Sequence, residues 1–134
     1  MASSTIPEKF LDLLTTKKPL ANIATIMPDG SPQVTPVWFD YTNGKIRINT
    51  ARGRVKAKNM KVGSKVALAI VDPDNAYRYI GIRGPVISED EKDADAHIDS
   101  LAKKYLGKDV YPWHNEKDVR VMYEITPSAA QAIG

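Results

Sequence analysis

The chain has 134 residues, 43% of them hydrophobic and 26% charged, values that indicate one folded globular domain and argue against a disordered chain. It contains no cysteine, which excludes disulfides, thiolate nucleophiles and cysteine-based zinc sites and favours a cytoplasmic location. Its 19 basic and 16 acidic residues give a formal net charge of +3 at pH 7.

The first 18 residues are expected to form a helical segment that packs on a single domain spanning residues 1–134. Pro7 stands where a first helical turn can begin, and the apolar residues after it predict an amphipathic helix over 7–15. No basic region followed by an apolar one opens the chain, so we expect no signal peptide. The longest apolar run, at 66–71, is too short to span a membrane.

The next segments predict consecutive antiparallel strands joined by tight turns. Strands at 20–27 and 33–41 flank a turn at 28–32, and Asn43-Gly44 leads into a third strand from Lys45. The remaining predicted elements are strands at 66–71, 77–88 and 119–125 and a helix at 89–106. Because the first three strands leave no room for crossover helices, we predict a mainly β fold with short helices, a small six-stranded antiparallel barrel.

A basic stretch runs from Lys45 to Lys61. It holds seven Lys or Arg residues and no acid, whereas 12 basic and 16 acidic residues lie outside it. A strand that turns at Gly53 into a helix exposes backbone N–H groups with partial positive charge. The side chains suited to a phosphate there are Thr50, Arg52, Arg54 and Lys56. The alternative is a solvated surface helix whose charges serve only solubility.

Pro36 lies in the middle of the predicted second strand, where it cannot donate to a sheet ladder. Such a proline belongs at a sheet edge or a bulge. One side of this strand should therefore face a bound ring system or solvent rather than a neighbouring strand.

The sequence shows no arrangement of residues for metal binding or side-chain catalysis. His97, expected to be solvated on the polar side of the long helix, and His114, in a loop beside Trp113, are the only histidines. No nucleophile elbow, Walker lysine motif or dinucleotide-binding glycine motif is present. We therefore predict no metal and no catalytic side chain, so a cofactor must supply the chemistry if the protein is an enzyme.

The order of several motifs resembles the pyridoxamine 5′-phosphate oxidase-like split-barrel flavoproteins, and more closely their branch that binds the deazaflavin coenzyme F420. The likeness covers residues 20–126. The motifs are PDGSP at 28–32, TPVW at 35–38, INT at 48–50, RGRVKAKN at 52–59, DPDNAYRYIGIRG at 72–84 and AKKYLGKD at 102–109.

This resemblance implies a homodimer of six-stranded split barrels that bind two cofactors across the subunit interface. The phosphate site would comprise Asn49, Thr50, Arg52, Arg54, Lys56 and Lys58. The segment against the ring would comprise Thr35, Pro36, Val37 and Trp38. The partner subunit could present Asn75, Tyr77, Arg78 and Tyr79, and Trp113 could cover the ring.

The resemblance also implies an F420-dependent reductase that transfers a hydride from the reduced deazaflavin to an unsaturated small organic substrate. The chain lacks the Arg-Leu-x-Pro ending and Ser-Arg-Lys motif of true pyridoxamine phosphate oxidases, which argues against that reaction. An FMN-binding flavoprotein of the same fold and a non-catalytic carrier of F420 or a tetrapyrrole remain alternatives. A nucleic-acid-binding barrel is disfavoured because the basic stretch contains no aromatic residue. We expect no membrane partner.

Overall fold

The computed structural model describes residues 5–134, so the predicted contribution of Ser4 and its predecessors to the N-terminal helix lies outside the described residues. In chain order, the helices are a 3-10 turn at Glu8–Phe10, α1 at Asp12–Thr15, α2 at Val55–Asn59 and α3 at Ala94–Leu106. The strands are β1 (Ala21–Ile26), β2 (Pro32–Val37), β3 (Phe39–Thr42), β4 (Lys45–Ala51), β5 (Lys65–Asp72), β6 (Asn75–Asp90), β7 (Arg120–Ile125) and β8 (Ala129–Ile133).

The strands pair in the order β2-β1-β5-β6-β7-β4-β3, with β8 beside β6. Every pairing is antiparallel, which confirms the predicted mainly β antiparallel class. Within residues 5–134, β2 and β3 do not pair with each other, although they follow one another in the chain. The sheet path is therefore open at the junction of these two strands.

The predicted count of six strands is wrong, because the sheet formed by residues 5–134 has eight. The strand predicted at 33–41 is interrupted at Trp38, so that β2 pairs with β1 while β3 pairs with β4. The tail forms β8, which pairs with β6 through 129–133. Strand β6 also runs 16 residues to Asp90, so α3 begins later than the predicted helix at 89–106.

Alternate residues of the strands point inward and form one hydrophobic core. Ile46 and Ile48 of β4 and Tyr123 and Ile125 of β7 are each 0% exposed. Leu13 of α1, also 0% exposed, belongs to the same cluster. Each large apolar side chain buried in this way stabilises the fold by about 1.5–3 kcal/mol. In the described part of the chain, no helix combines the length and apolar character needed to cross a membrane.

An ion-pair cluster holds the N-terminal helices against the β5–β6 hairpin. The Arg78 guanidinium contacts Asp12 Oδ1 at 2.7 Å and Asp72 Oδ2 at 2.9 Å. Lys17 Nζ contacts Asp72 Oδ1 at 2.8 Å. The guanidinium also lies 4.8 Å from the centre of the Phe10 ring. Asp72 therefore receives charged donors from two separate elements.

We expect Asp72→Asn to destabilise the protein at pH 7 and to lose this effect in acid. The hydrogen bond from Lys17 is the largest cause that lowers the pKa of Asp72 from 3.8 to about 2. A lowered folded-state pKa contributes stability above pH 3.8 that is lost as the pH falls toward 2. Urea denaturation between pH 7 and pH 2 measures the difference between wild type and variant. Asp74→Asn, at an exposed carboxylate that also pairs with Lys17, is the control and should have little effect at any pH.

Candidate functional site

A cleft of about 280 Å³ opens beside the junction between β2 and β3. The β4–α2 turn, α3 and the loop before β7 complete its walls. The lining residues are Leu20, Pro36, Val37, Trp38, Asn49, Thr50, Arg54, Lys56, Ile98, Tyr111, Trp113 and Arg120. One part of this surface is apolar and aromatic and the other carries cations, so the cleft suits a ligand with a flat ring and an anionic group.

The cationic wall is built where β4 leads through a tight turn into α2. Strand β4 ends at Ala51, Gly53 takes a positive φ of 92°, and α2 begins at Val55. This confirms the predicted sequence of strand, turn and helix. The helix ends at Asn59, so the last residues of the basic stretch, up to Lys61, lie beyond it.

Three cations meet at this wall: Arg54, Lys56 and Arg120. Within residues 5–134 none of them forms an ion pair with a carboxylate. Burial is the largest cause that lowers the pKa of Lys56, followed by the charges of Arg54 and Arg120. Burial is also the largest cause that lowers the pKa of Arg120, and Arg54 lowers it further. A bound anion would relieve this repulsion among like charges.

Another part of the cleft wall is aromatic. The Trp38 ring stacks on Tyr105 with ring centroids 5.3 Å apart and an interplanar angle of 9°. The ring of Tyr111 meets Trp38 edge-on at 6.0 Å and Trp113 at 5.6 Å. The Tyr105 hydroxyl donates to Pro19 O at 2.7 Å, and burial raises the pKa of Tyr105 to about 12. Trp38 is therefore held in one orientation, whereas Trp113 is 61% exposed at the rim.

The proline in β2 lies where the sequence predicted, on a strand at the end of the pairing path. Pro36 pairs with Asn22 on one side and lines the cleft rather than a neighbouring strand on the other. The preceding residue, Thr35, pairs with Ile23 and, unlike Pro36, does not line the cleft. Its hydroxyl is buried without a hydrogen-bond partner among the described residues.

The structure brings seven predicted binding residues to the cleft and leaves others elsewhere. Those at the cleft are Pro36, Val37, Trp38, Asn49, Thr50, Arg54 and Lys56. Arg52 points away, with its guanidinium 2.9 Å from Glu89 Oε1 and 2.8 Å from Glu91 Oε2. With Lys58 it lines a separate cavity of about 370 Å³.

The predicted segment on β6 also lies outside the cleft of its own protomer. Asn75, Tyr77 and Arg78 belong to the β5–β6 hairpin and its continuation. Arg78 is engaged by the carboxylates of the ion-pair cluster. The Tyr77 side chain is 86% exposed. This exposed tyrosine is free to contact another molecule.

Sequence reasoning missed Arg120 and Tyr111 and misplaced His97. His97 is 4% exposed rather than solvated, because α3 packs the face that carries it against the sheet. Asp95 and Asp99, which lie close to His97 in the sequence, are typical of a polar helix face. The helical spacing with Ala94, Ile98 and Leu101 was the signal that could have shown its burial. Arg120 gave only a weak signal, a lone cation at the start of an apolar strand.

Comparisons with known proteins place the chain within one family. The family model described as pyridoxamine 5′-phosphate oxidase matches residues 6–134. A solved structure named F420 reductase is 31% identical, with a TM-score of 0.82, and the match covers 94% of this chain and 98% of that one.

Two further structures show the fold alone. A conserved hypothetical protein from Mycobacterium tuberculosis is 19% identical, with a TM-score of 0.73 and coverage of 99% of this chain and 88% of that one. General stress protein 26 from Bacillus anthracis is 16% identical, with a TM-score of 0.62 and coverage of 93% and 92%. No curated protein gave a significant match. The match over nearly every described residue, together with the antiparallel barrel, shows that the chain belongs to the pyridoxamine 5′-phosphate oxidase-like split-barrel family.

Proposed function

We propose that this protein is an oxidoreductase that binds the deazaflavin F420 in the cleft. It would transfer a hydride from the reduced coenzyme to an unsaturated small organic substrate. The observation that carries this proposal is an aromatic wall next to three cations that have no carboxylate partner within the described residues 5–134. The 31% identical F420 reductase supports the choice of coenzyme.

The cationic end of the cleft fits the phosphate of the coenzyme. Arg54 offers a planar fork and Lys56 a point charge. The Thr50 hydroxyl also lines the cleft and has no hydrogen-bond partner among residues 5–134, so it is free to donate. These groups would bind the phosphate and fix the position of the whole coenzyme.

The aromatic end would hold the ring. Pro36 and Val37 give an apolar surface, and Trp38 is fixed by its stack on Tyr105. A bound coenzyme would supply the hydride itself. Among the described residues that line the cleft, none carries a carboxylate or an imidazole. We propose that the contribution of these residues is to orient the coenzyme and exclude water.

Calorimetric titrations of the apo protein with F420 and with FMN, carried out side by side, test this proposal. We expect tighter binding of F420 and oxidation of the reduced coenzyme when a panel of enones is added. Preference for FMN would favour a flavoprotein of the same fold. Binding of F420 without turnover of any enone would favour a carrier. Binding of neither coenzyme would reject the proposed function.

We further propose that the protein works as a cytoplasmic homodimer, with residues 1–134 as one domain per protomer and the first 18 residues packed on the barrel. The exposed Tyr77 on the β5–β6 hairpin could reach a partner's cleft. The outer face of β1, β2, β5 and β6 carries two cavities with predominantly apolar linings and is suited to face a second copy. Asn75, on the same hairpin as Tyr77, would then contribute to binding only through the assembled dimer.

Light scattering should show a dimer, and Ala67→Glu should give monomers that bind the coenzyme weakly. Ala67 lines both cavities of the outer face, where a buried carboxylate would oppose association. Ala96→Glu, at an exposed position on α3, is the matched control and should remain dimeric. A monomeric wild type that binds coenzyme tightly would contradict the shared site.

A further inference from the structure

Arg120 is a buried cation that forms no ion pair with a carboxylate among residues 5–134. Its side chain lines the cleft and the residue is only 9% exposed. Its Nε donates to Asn49 Oδ1 at 2.9 Å, and its guanidinium lies 5.3 Å from the centre of the Tyr111 ring. In the described part of the chain its two terminal nitrogens have no acceptor. Asp95 and Asp118 act on it only at longer range.

Three other arginines of the chain are neutralised by carboxylates. Arg47, Arg52 and Arg78 each have a carboxylate oxygen within 3.0 Å. Arg120 instead meets the amide oxygen of Asn49, which orients the guanidinium but leaves its full positive charge in place. A buried charge without a counter-ion destabilises a protein, and an anion in the cleft would supply the missing partner.

We propose that Arg120 is a third phosphate-binding residue of the cleft, held in position by a hydrogen-bonded chain formed by Asn49, His97 and Asp40. This inference rests on the proposed function, because the phosphate belongs to a flavin-type coenzyme. Arg120 lies in β7, whereas Arg54 and Lys56 lie beside the β4–α2 turn. The phosphate would thus be contacted by residues from two elements that are distant in sequence.

The hydrogen bonds of Asn49 allow one orientation of its amide. Its Nδ2 donates to Ala94 O at 2.8 Å and faces His97 Nδ1 at 3.1 Å. The reversed amide would set Nδ2 against the Nε–H of Arg120 and Oδ1 against the carbonyl of Ala94. Both reversed contacts are repulsive. Asn49 Oδ1 must therefore accept from Arg120.

The same geometry fixes the hydrogen on His97. Because Asn49 Nδ2 donates, His97 Nδ1 must accept, so the hydrogen sits on Nε2 and is donated to Asp40 Oδ2 at 3.1 Å. Arg47 grips the same carboxylate through Nε at 2.7 Å and Nη2 at 2.9 Å. Burial opposes ionisation of Asp40, but the hydrogen bonds from His97 and Arg47 hold its pKa well below the usual range. His97 and Asp40 are positioning residues that keep Asn49 turned toward Arg120.

The test compares ligands with and without a phosphate, FMN with riboflavin and F420 with its phosphate-free deazaflavin. Arg120→Gln should weaken binding of the phosphate-bearing ligand by roughly 10- to 100-fold and change the phosphate-free ligand by less than about threefold. Asn49→Asp should cause a similar selective loss of affinity for the phosphate-bearing ligand. The new carboxylate would neutralise the charge of Arg120 while leaving the Arg120 side chain in place. Lys92→Gln removes an exposed charge outside the cleft and should leave both affinities unchanged.

Arg120→Lys keeps the charge and should retain part of the phosphate preference, which keeps the test informative if Arg120→Gln folds poorly. His97→Gln should lower the ratio of the affinity for the phosphate-bearing ligand to the affinity for the phosphate-free ligand, an effect that simple loss of stability would not produce.

Equal losses of affinity for both ligands, or no loss with Arg120→Gln and Asn49→Asp, would overturn the inference. If Arg54→Ala with Lys56→Ala removes the phosphate preference while Arg120→Gln keeps it, the proposed function stands and this inference fails. If no variant changes any affinity, the proposed function fails as well.

Discussion

Replacing Arg54 and Lys56 together with alanine is expected to weaken coenzyme binding by several kcal/mol, a loss of at least about a hundredfold in affinity. Each charge-assisted contact to a phosphate contributes about 1.5–3 kcal/mol, and both residues line the cationic wall. Calorimetric titration measures the loss. Binding should also become less sensitive to salt, because fewer charges then attract the anion.

Thermal unfolding without coenzyme separates this effect from damage to the fold. The charges of Arg54 and Arg120 help to lower the pKa of Lys56, so removal of two of the three cations relieves repulsion. The double variant should therefore unfold no earlier than wild type. A matched control, Lys92→Ala with Lys117→Ala, removes two exposed cations outside the cleft and should bind normally. An unchanged affinity in the Arg54 and Lys56 variant would remove the phosphate assignment.

Gly84→Ala is expected to lower the free energy of unfolding by about 3 kcal/mol or more, the upper range for overpacking in a close-packed interior. Gly84 lies in β6, where a Cβ would overlap the carbonyl oxygen of Thr126 and come within 3.2 Å of Ser128 N. The backbone here is held by hydrogen bonds from Ser128 N to Arg83 O at 2.8 Å and from Thr126 N to Pro85 O at 3.1 Å. The chain has little freedom to move aside.

Gly81→Ala provides the matched control in the same strand. A Cβ at Gly81 would meet its nearest atom, Gln131 O, at 3.9 Å, an ordinary contact. Urea denaturation at one protein concentration should therefore place Gly81→Ala within about 1 kcal/mol of wild type. Equal stabilities for the two alanine variants would show that the segment at 126–128 adapts to the added methyl group.

Local sequence patterns were sufficient to predict most of the strands and the β4–α2 turn. Asn43-Gly44 predicts the turn that it forms, and Pro36 predicts that its own strand lies at an edge. The basic residues likewise identified the turn that lines the cleft. These features depend on neighbours close in the chain, which a sequence pattern can report.

Long-range pairing explains what the sequence left out. Asn49 pairs with Met122 across β4 and β7, and this register is what brings Arg120 to the cleft. The neutralisation of Arg52 by Glu89 and Glu91 also depends on residues distant in sequence. Strand β8 was missed because its alanines have little strand propensity, and it forms through pairing with β6.

Trp38 is the single residue between β2 and β3, and the structure depends on the length of this connection. These strands belong to opposite ends of the sheet path, and this one residue joins them. Side chains alternate between faces along a strand, so one inserted residue here would turn one of the two strands over relative to its partner. An inverted β3 would carry Asp40 away from Arg47 and His97. A change in chain length at this junction should therefore disturb the structure more than a change in the identity of a side chain.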